Sequence, residues 1–189
     1  FYVSGSSRSI LTAERLVLNS MQRMSAIATK TREFVNRLEG TKTKILDTRK
    51  TTPGIRLLEK WAVDIGGGVN HRYGLYDMIM LKDNHVDYAG GIRQAIERAN
   101  EYVKSNNLDL KIEIEVRNED ELKQVLETGN VDRIMLDNFT PARISAILPI
   151  IPKQYETEAS GGITLETIRS YAETGVQCIS VGALTHSAK

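Results

Sequence analysis

At 189 residues and 41% apolar composition, the chain can bury a sizeable core and falls within the size of a single domain. Lys plus Arg (25) nearly balance Asp plus Glu (24), so no global field draws it to nucleic acid or an anionic membrane, and any anion site must be local. It has no apolar run of ~18 residues, no secretory pattern in residues 1 to 20, and a lone Cys178 that excludes an internal disulfide, so it reads as soluble and cytoplasmic.

The chain opens on FYVSG, without Met, which reads as the end of a strand in a longer protein. From Leu11 to Leu38, apolar or small residues recur every three to four positions (Val17, Met21, Met24, Ala28, Thr31, Val35), the period of a long amphipathic helix. Residues 1–40 therefore read as a linking region and 41–189 as the main domain. In the latter, β-rich runs at 42–47, 77–82, 111–116, 132–137, 155–160 and 177–183 alternate with helical patterns at about 55–64, 88–105, 118–128, 140–148 and 164–174. Thr140 with Pro141, and Thr164, read as helix starts; Gly129 and Gly175 read as stops. Repeated β then α predicts parallel strands with helical crossovers.

The polar residues decide between a doubly wound sheet and a barrel. Nearly every run is apolar at its start and ionic at its end: Asp47 to Lys50, Lys82 to His85, Asp137 with Asn138, Glu158 to Gly162. Parallel strands bring those ends to one mouth, where (β/α) barrels keep their active sites. Glu113 and Glu115 share a face, as do Glu156 and Glu158, and buried carboxylates need cations such as Arg49, Lys50, Arg72 and Lys82 nearby. Six strands, against eight in a full barrel, predict an α/β fold with an incomplete (β/α) barrel preceded by a long helix.

Four stretches carry chemistry. ILDTRKTTPG (45–54) puts two cations and three hydroxyls on one turn and reads as an anion receptor. In GGGVNHRYGLYDMIMLKDNH (66–85), the glycines free the backbone for close approach to a ligand and set His71 and Arg72 beside it; His85 serves either the site or a structural hydrogen bond. EASGGI (158–163) and SVGALTHS (180–187) are strand-to-turn junctions whose N–H groups, with a helix starting near Thr164, suit a phosphate. Carboxylates Glu115 and Asp137 between these halves suit ribose hydroxyls, Mg²⁺ or a cationic sugar transition state. Cys178, in an apolar run, reads as a small buried hydrophobe.

In this order, DTRKTTPG, GGGVNHRYGL, LKDNH, MLDN, EASGGI and SVGALTHS resemble the quinolinate phosphoribosyltransferase family, the carboxylating nicotinate-nucleotide pyrophosphorylases, from about Ser9 to His186. The resemblance implies an N-terminal α/β sandwich domain that is largely absent here and a C-terminal barrel of fewer than eight strands. It implies a Mg²⁺-dependent reaction of quinolinate with 5-phosphoribosyl-1-pyrophosphate, giving nicotinate mononucleotide, pyrophosphate and CO₂. By position, Arg49, Lys50, His71 and Arg72 would hold the two carboxylates, and Lys82 would lie close to the transferred groups. Glu115 and Asp137 would face the ribose and its metal, and Ser160, Gly161, Gly162 and Gly182 the 5′-phosphate. Lys50, Lys82, Glu115 and Asp137 are thus the catalytic candidates. Arg15 matches an arginine that reaches into the neighbouring subunit's site, which requires a homodimer or higher assembly. Ala26 stands where the family usually has Gly. The alternative is a related barrel with another ligand: a molybdenum-transport-associated relative or a nicotinate-using phosphoribosyltransferase.

Overall fold

The computed structural model describes residues 2–188. Phe1 of the expected strand end lies outside them, and residues 2 to 6 form no strand. The six expected strands all form: β1 (Lys44–Leu46), β2 (Ile79–Leu81), β3 (Ile112–Val116), β4 (Arg133–Asp137), β5 (Glu156–Ser160) and β6 (Cys178–Ser180). Every pairing is parallel, in the order β1-β6-β5-β4-β3-β2, so the sheet curls as a barrel does but stays open between β1 and β2. Val69, from the loop that follows the helix at 56–65, bridges Leu46 and covers the free edge of β1.

Strand alternation divides the sheet into two faces. Ile114, Ile134, Leu136, Ala159 and Ile179 have no exposed surface and pack against the helices. Their alternates Glu113, Glu115, Arg133, Met135, Glu158 and Ser180 turn to the concave side, where Glu113 lies opposite Met80 and Arg133, and Met135 lies between Glu115 and Glu158.

The helices follow their local signals, with three departures. α1 (Ser7–Arg37), α2 (Arg56–Ile65) and α5 (Glu119–Thr128) match the periodicity; α5 is capped by Asn118, whose side chain accepts the Glu121 N–H, and stops at Gly129 with φ 68°. Thr140 and Pro141 start α6 (Pro141–Ile147), and a 3₁₀ turn, Leu148–Ile150, follows it. The expected helix at 88–105 is two helices, α3 (Asp83–Ala89) and α4 (Ile92–Ser105), because Gly90 and Gly91 both take positive φ (94° and 137°) and break the chain between them. Thr164 does not cap a helix: its carbonyl accepts the Thr167 and Ile168 N–H groups in a turn, and α7 spans only Ile168–Ala172. Gly175, φ 88°, closes the turn beyond it. The glycine run at 66–68 packs against α1 and α2. A Cβ on Gly66 would stand 2.5 Å from Thr31 Cβ, and one on Gly68 2.8 Å from Val63 Cγ1.

A buried ion pair joins the first strand to the first barrel helix. Lys60 Nζ lies 2.5 Å from Asp47 Oδ1 and donates to the His71 carbonyl at 2.9 Å, while the same Asp47 oxygen accepts the His71 N–H at 2.8 Å. The Asn70 amide, turned to donate, reaches Asp47 Oδ2 and the Lys60 carbonyl. Lys60→Met would leave the Asp47 carboxylate buried without its cation, and should cost about 3–5 kcal/mol in urea denaturation. Asp47→Asn combined with Lys60→Met should recover part of that loss, and no recovery would mean that packing, not charge, sets the cost.

Candidate active site

At the carboxyl ends of the strands lies a cavity of about 260 Å³. The turn after β1 supplies Thr48, Arg49 and Lys50, the loop before β2 supplies His71 and Arg72, and β2 supplies Met80, with Lys82 just past its end. Met135, Glu158, Ser160 and Ser180 complete it from β4, β5 and β6. The structure thus brings together six of the expected site residues: Arg49, Lys50, His71, Arg72, Lys82 and Ser160. Two more adjoin them. Glu115 Oε2 is 3.3 Å from Lys82 Nζ, and Asp137 Oδ1 accepts the Ser160 hydroxyl at 3.2 Å.

Gly161 fits only as glycine, since its φ is 104° and a Cβ would meet Asn138 Oδ1 at 2.2 Å. The N–H groups of Gly161 and Gly162 bond to no other described backbone group. Gly182 sits against Lys50 and His186, 3.3 and 3.1 Å from where its Cβ would be. The helix expected to aid these turns does not: α7 is one short turn that starts beyond them. Arg15 is exposed on α1, outside the cavity. His85 accepts the Lys82 N–H at 2.9 Å and closes the first turn of α3, which resolves its two readings in favour of structure. Cys178 is buried, and burial with the nearby Glu156 pushes its thiol up to about 12, so it is the inert hydrophobe expected.

The cationic turn is pinned at several backbone groups. Arg56 donates to Thr51 Oγ1 (3.0 Å), the Arg49 carbonyl (3.4 Å) and the Tyr73 carbonyl (3.0 Å), tying the two cation-bearing loops together. Glu59, fully buried, accepts the Thr52 N–H at 3.0 Å and pairs with Arg23 of α1 at 2.8 Å. Thr185, in α8 (Ala183–His186), donates to the Lys50 carbonyl at 2.8 Å. Within this frame Arg49 Nε is buried with no partner among the described residues. Burial, and then the charge of Arg49, lower the Arg72 guanidinium's hold on its proton. An anion between the two would relieve both.

Below the cations lie acids. His71 Nε2 is 3.0 Å from Glu113 Oε2 and 3.4 Å from Glu158 Oε2. Burial opposes a charged imidazole while these carboxylates favour it, a balance that would lift its pKa to about 9. Nδ1, however, accepts the Arg72 N–H at 2.7 Å, and a second ring proton would point at that donor. We therefore read His71 as the neutral Nε2–H tautomer, with Nδ1 accepting the Arg72 N–H and Nε2 close to Glu113 and Glu158 without a well-aligned hydrogen bond. His71 lines the cavity beside the cations, with its Nε2 toward the acids beneath. Burial, then the charge of Glu158, raise the Glu113 pKa; burial also opposes the Glu158 charge, but the His71 contact prevails and keeps it lowered. The ligand atoms of His71, Glu113 and Glu158 lie within 4.8 Å of one another, but Arg133 already supplies the positive charge a metal would bring. Burial and Asp137 raise the Glu115 pKa, with Lys82 opposing.

Residues 27–189 match the family model described as quinolinate phosphoribosyl transferase, C-terminal domain. The chain belongs to this family. It is 47% identical to the chloroplastic nicotinate-nucleotide pyrophosphorylase [carboxylating] of Arabidopsis thaliana, a match over 99% of this chain and 57% of that protein. A probable nicotinate-nucleotide pyrophosphorylase [carboxylating] of Bacillus subtilis is 48% identical over 98% of the chain and 63% of its own length. The solved nicotinate-nucleotide pyrophosphorylase of Francisella tularensis superposes with a TM-score of 0.89 at 45% identity, over 97% of this chain and 64% of that one. The chain thus spans under two thirds of these relatives. Among the described residues, no helix is long and apolar enough to cross a membrane.

The residues sequence reasoning passed over in this family member are those that act from behind. Arg56 carried a signal, a cation in the first turn of a helix, where the backbone dipole disfavours it. Arg133 carried a weaker one, an ionic residue inside a strand; Lys60, on an otherwise amphipathic helix, carried none. Arg56→Ala should free the turn: amide exchange at residues 49–52 should rise at least ~10-fold while global stability falls by about 1–2 kcal/mol. Unchanged exchange there would show that Glu59 and Thr185 suffice.

Proposed function

We propose that this chain is the barrel part of a quinolinate phosphoribosyltransferase, which transfers phosphoribosyl from 5-phosphoribosyl-1-pyrophosphate to quinolinate with loss of CO₂ and so feeds NAD synthesis. One observation carries the reading: Arg49, Lys50, Arg72 and Lys82 converge on a single small cavity in which Arg49 Nε has no partner among the described residues. At about 260 Å³ the cavity falls below the ~300 Å³ at which ligand pockets usually begin, which suits one ring acid, with the sugar phosphate lying across the rim. Met80 and Met135 offer the apolar walls for that ring.

On this reading Arg49, Arg72 and Lys50 take the two carboxylates, by guanidinium forks and an ammonium. The Ser160 to Gly162 turn and Gly182 receive the 5′-phosphate through backbone N–H groups. As pyrophosphate departs, positive charge develops on the ribose C1, and Glu115 and Asp137 stabilise a centre that the ground state lacks. Lys82, beside Glu115, or Lys50 then stabilises the carbanion left when the carboxylate adjacent to the ring nitrogen is lost as CO₂. The donor set of Glu115 and Asp137, two hard carboxylates at the rim, with the charge of Asp137 raising the Glu115 pKa, fits Mg²⁺. Bound there, the ion would neutralise the pyrophosphate oxygens.

The same proposal includes a cytoplasmic homodimer in which Arg15 serves the partner's site. Support comes from the placement of Arg15, eight residues before Arg23, the last side chain tying α1 to the barrel, and so about 12 Å farther along the helix axis.

The full-length protein, given Mg²⁺, phosphoribosyl pyrophosphate and either acid, should release CO₂ and form mononucleotide from quinolinate. Nicotinate should be used at least ~100-fold less well, because cations built for two carboxylates stay unpaired when one is missing. Equal kcat/KM for both acids would overturn the reading.

Arg15→Ala and Lys82→Ala homodimers should each be nearly inactive. Refolded together in equal amounts, about half the dimers are mixed, and each mixed dimer has one intact site, so roughly a quarter of wild-type activity should return. Mixed dimers confirmed by mass spectrometry without activity would confine Arg15 to its own subunit.

A further inference from the structure

An anion cavity should not carry acids in its wall, yet Glu158 lines this one and Glu113 lies directly behind it, both fully buried. Their only close cation among the described residues comes from below. Arg133 Nη1 stands 3.0 Å from Glu158 Oε2 and 4.0 Å from Glu113 Oε2, and Nη2 stands 2.7 Å from Glu156 Oε2. The register explains the convergence: Arg133 on β4 lies opposite Glu113 on β3 and Glu156 on β5, so one guanidinium faces acids on both sides. Glu158 Oε2 accepts a hydrogen bond from Arg133, but neither oxygen of Glu113 makes a well-aligned one, nor does Glu158 Oε1, so Glu113 is held by charge at short range. Above them, Arg72 is near enough to Glu113 to feel its charge.

We propose that Arg133 is a positioning residue of the anion site. It cancels the charge of the acids beneath the cavity, so that Arg72 and its neighbours face the substrate dicarboxylate instead of being drawn down to Glu113 and Glu158. The proposal rests on the reading of the cavity as a dicarboxylate receptor and adds the residue that makes its floor tolerable. Arg133 itself touches no substrate.

The test is a charge-rescue series in the full-length protein: Arg133→Gln, Arg133→Lys, Glu158→Gln and the double variant Arg133→Gln with Glu158→Gln. Calorimetry measures binding of quinolinate and of sulfate, a plain dianion, and thermal unfolding is followed in parallel. Arg133→Gln should weaken both probes by about tenfold or more, because an uncompensated carboxylate then faces them across a partly dry gap. Arg133→Lys and the double variant should bind within about threefold of wild type. Glu158→Gln, which keeps Arg133, should bind at least as tightly as wild type, and it decides the matter if Arg133→Gln does not fold. Unchanged affinity in Arg133→Gln, no rescue in the double variant, or tenfold weakening in Glu158→Gln would each overturn the proposal. Wild-type protein that binds sulfate but not quinolinate would overturn the substrate reading and leave the sulfate series to judge Arg133; binding of neither would overturn both.

Discussion

The Asp47–Lys60 pair is the constraint on which the site depends. Burial raises the Asp47 pKa and lowers that of Lys60, so each is poorly tolerated alone, and the charged state persists only while the two are in contact. Because Asp47 also takes the N–H of His71, and Lys60 its carbonyl, the pair clamps the turn that carries Arg49 and Lys50 to the loop that carries His71 and Arg72. Two guanidiniums and an ammonium pressed into one small cavity repel one another. The loops that bear them would separate without an anchor, and a buried ion pair with further hydrogen bonds is stiffer than apolar packing of the same volume would be.

The same economy appears in the sheet. A strand alternates its side chains, so Ile114 can enter the core only if Glu113 and Glu115 point the other way, and Leu136 only if Met135 and Asp137 do. The apolar half of each strand holds the fold through the helices, while the polar half fills the concave side with groups that must then satisfy one another. Arg133 and its three acids do so low in the sheet; Lys82 with Glu115, and Ser160 with Asp137, do so at the rim. Polarity rises toward the strand ends, and there Arg49 Nε is a buried cationic nitrogen without a hydrogen-bond partner among the described residues.

This gradient is why so much of the fold was legible. Apolar starts and ionic ends are a one-dimensional property, and they located all six strands, their parallel arrangement and six of the cavity residues. What depended on three-dimensional contact was hidden. Nothing local says that the 66–68 glycines admit Thr31 of α1, or that His71 accepts the Arg72 N–H and turns its other nitrogen to Glu113. Arg133 lies 20 positions from Glu113 and 25 from Glu158, and only the strand register brings them together. The split at Gly90 and Gly91 was readable, since paired glycines seldom sit inside a helix, but the strong period of 92–105 masked it.

The long helix raises a different question, because its two halves obey different rules. Ile27, Thr31 and Phe34 are buried against the barrel, and Arg23 closes this half by pairing with Glu59 and donating to the Ala188 and Thr185 carbonyls. Before Arg23 no residue of the helix is buried, and Leu11, Leu16, Val17 and Leu18 remain 71, 74, 43 and 40% exposed. A single helical segment of that length is marginal in water on its own propensity, and these residues with Met21, also exposed, add a cost that nothing among the described residues offsets. The free half therefore has a physical reason to be covered, and Arg15 lies among those residues. On the proposed reading, whatever covers the apolar side also carries Arg15 to an anion, and Arg23 is where that placement is passed on: its partner Glu59 holds the Thr52 N–H, so the position of α1 and the shape of the cationic turn are set through one buried carboxylate.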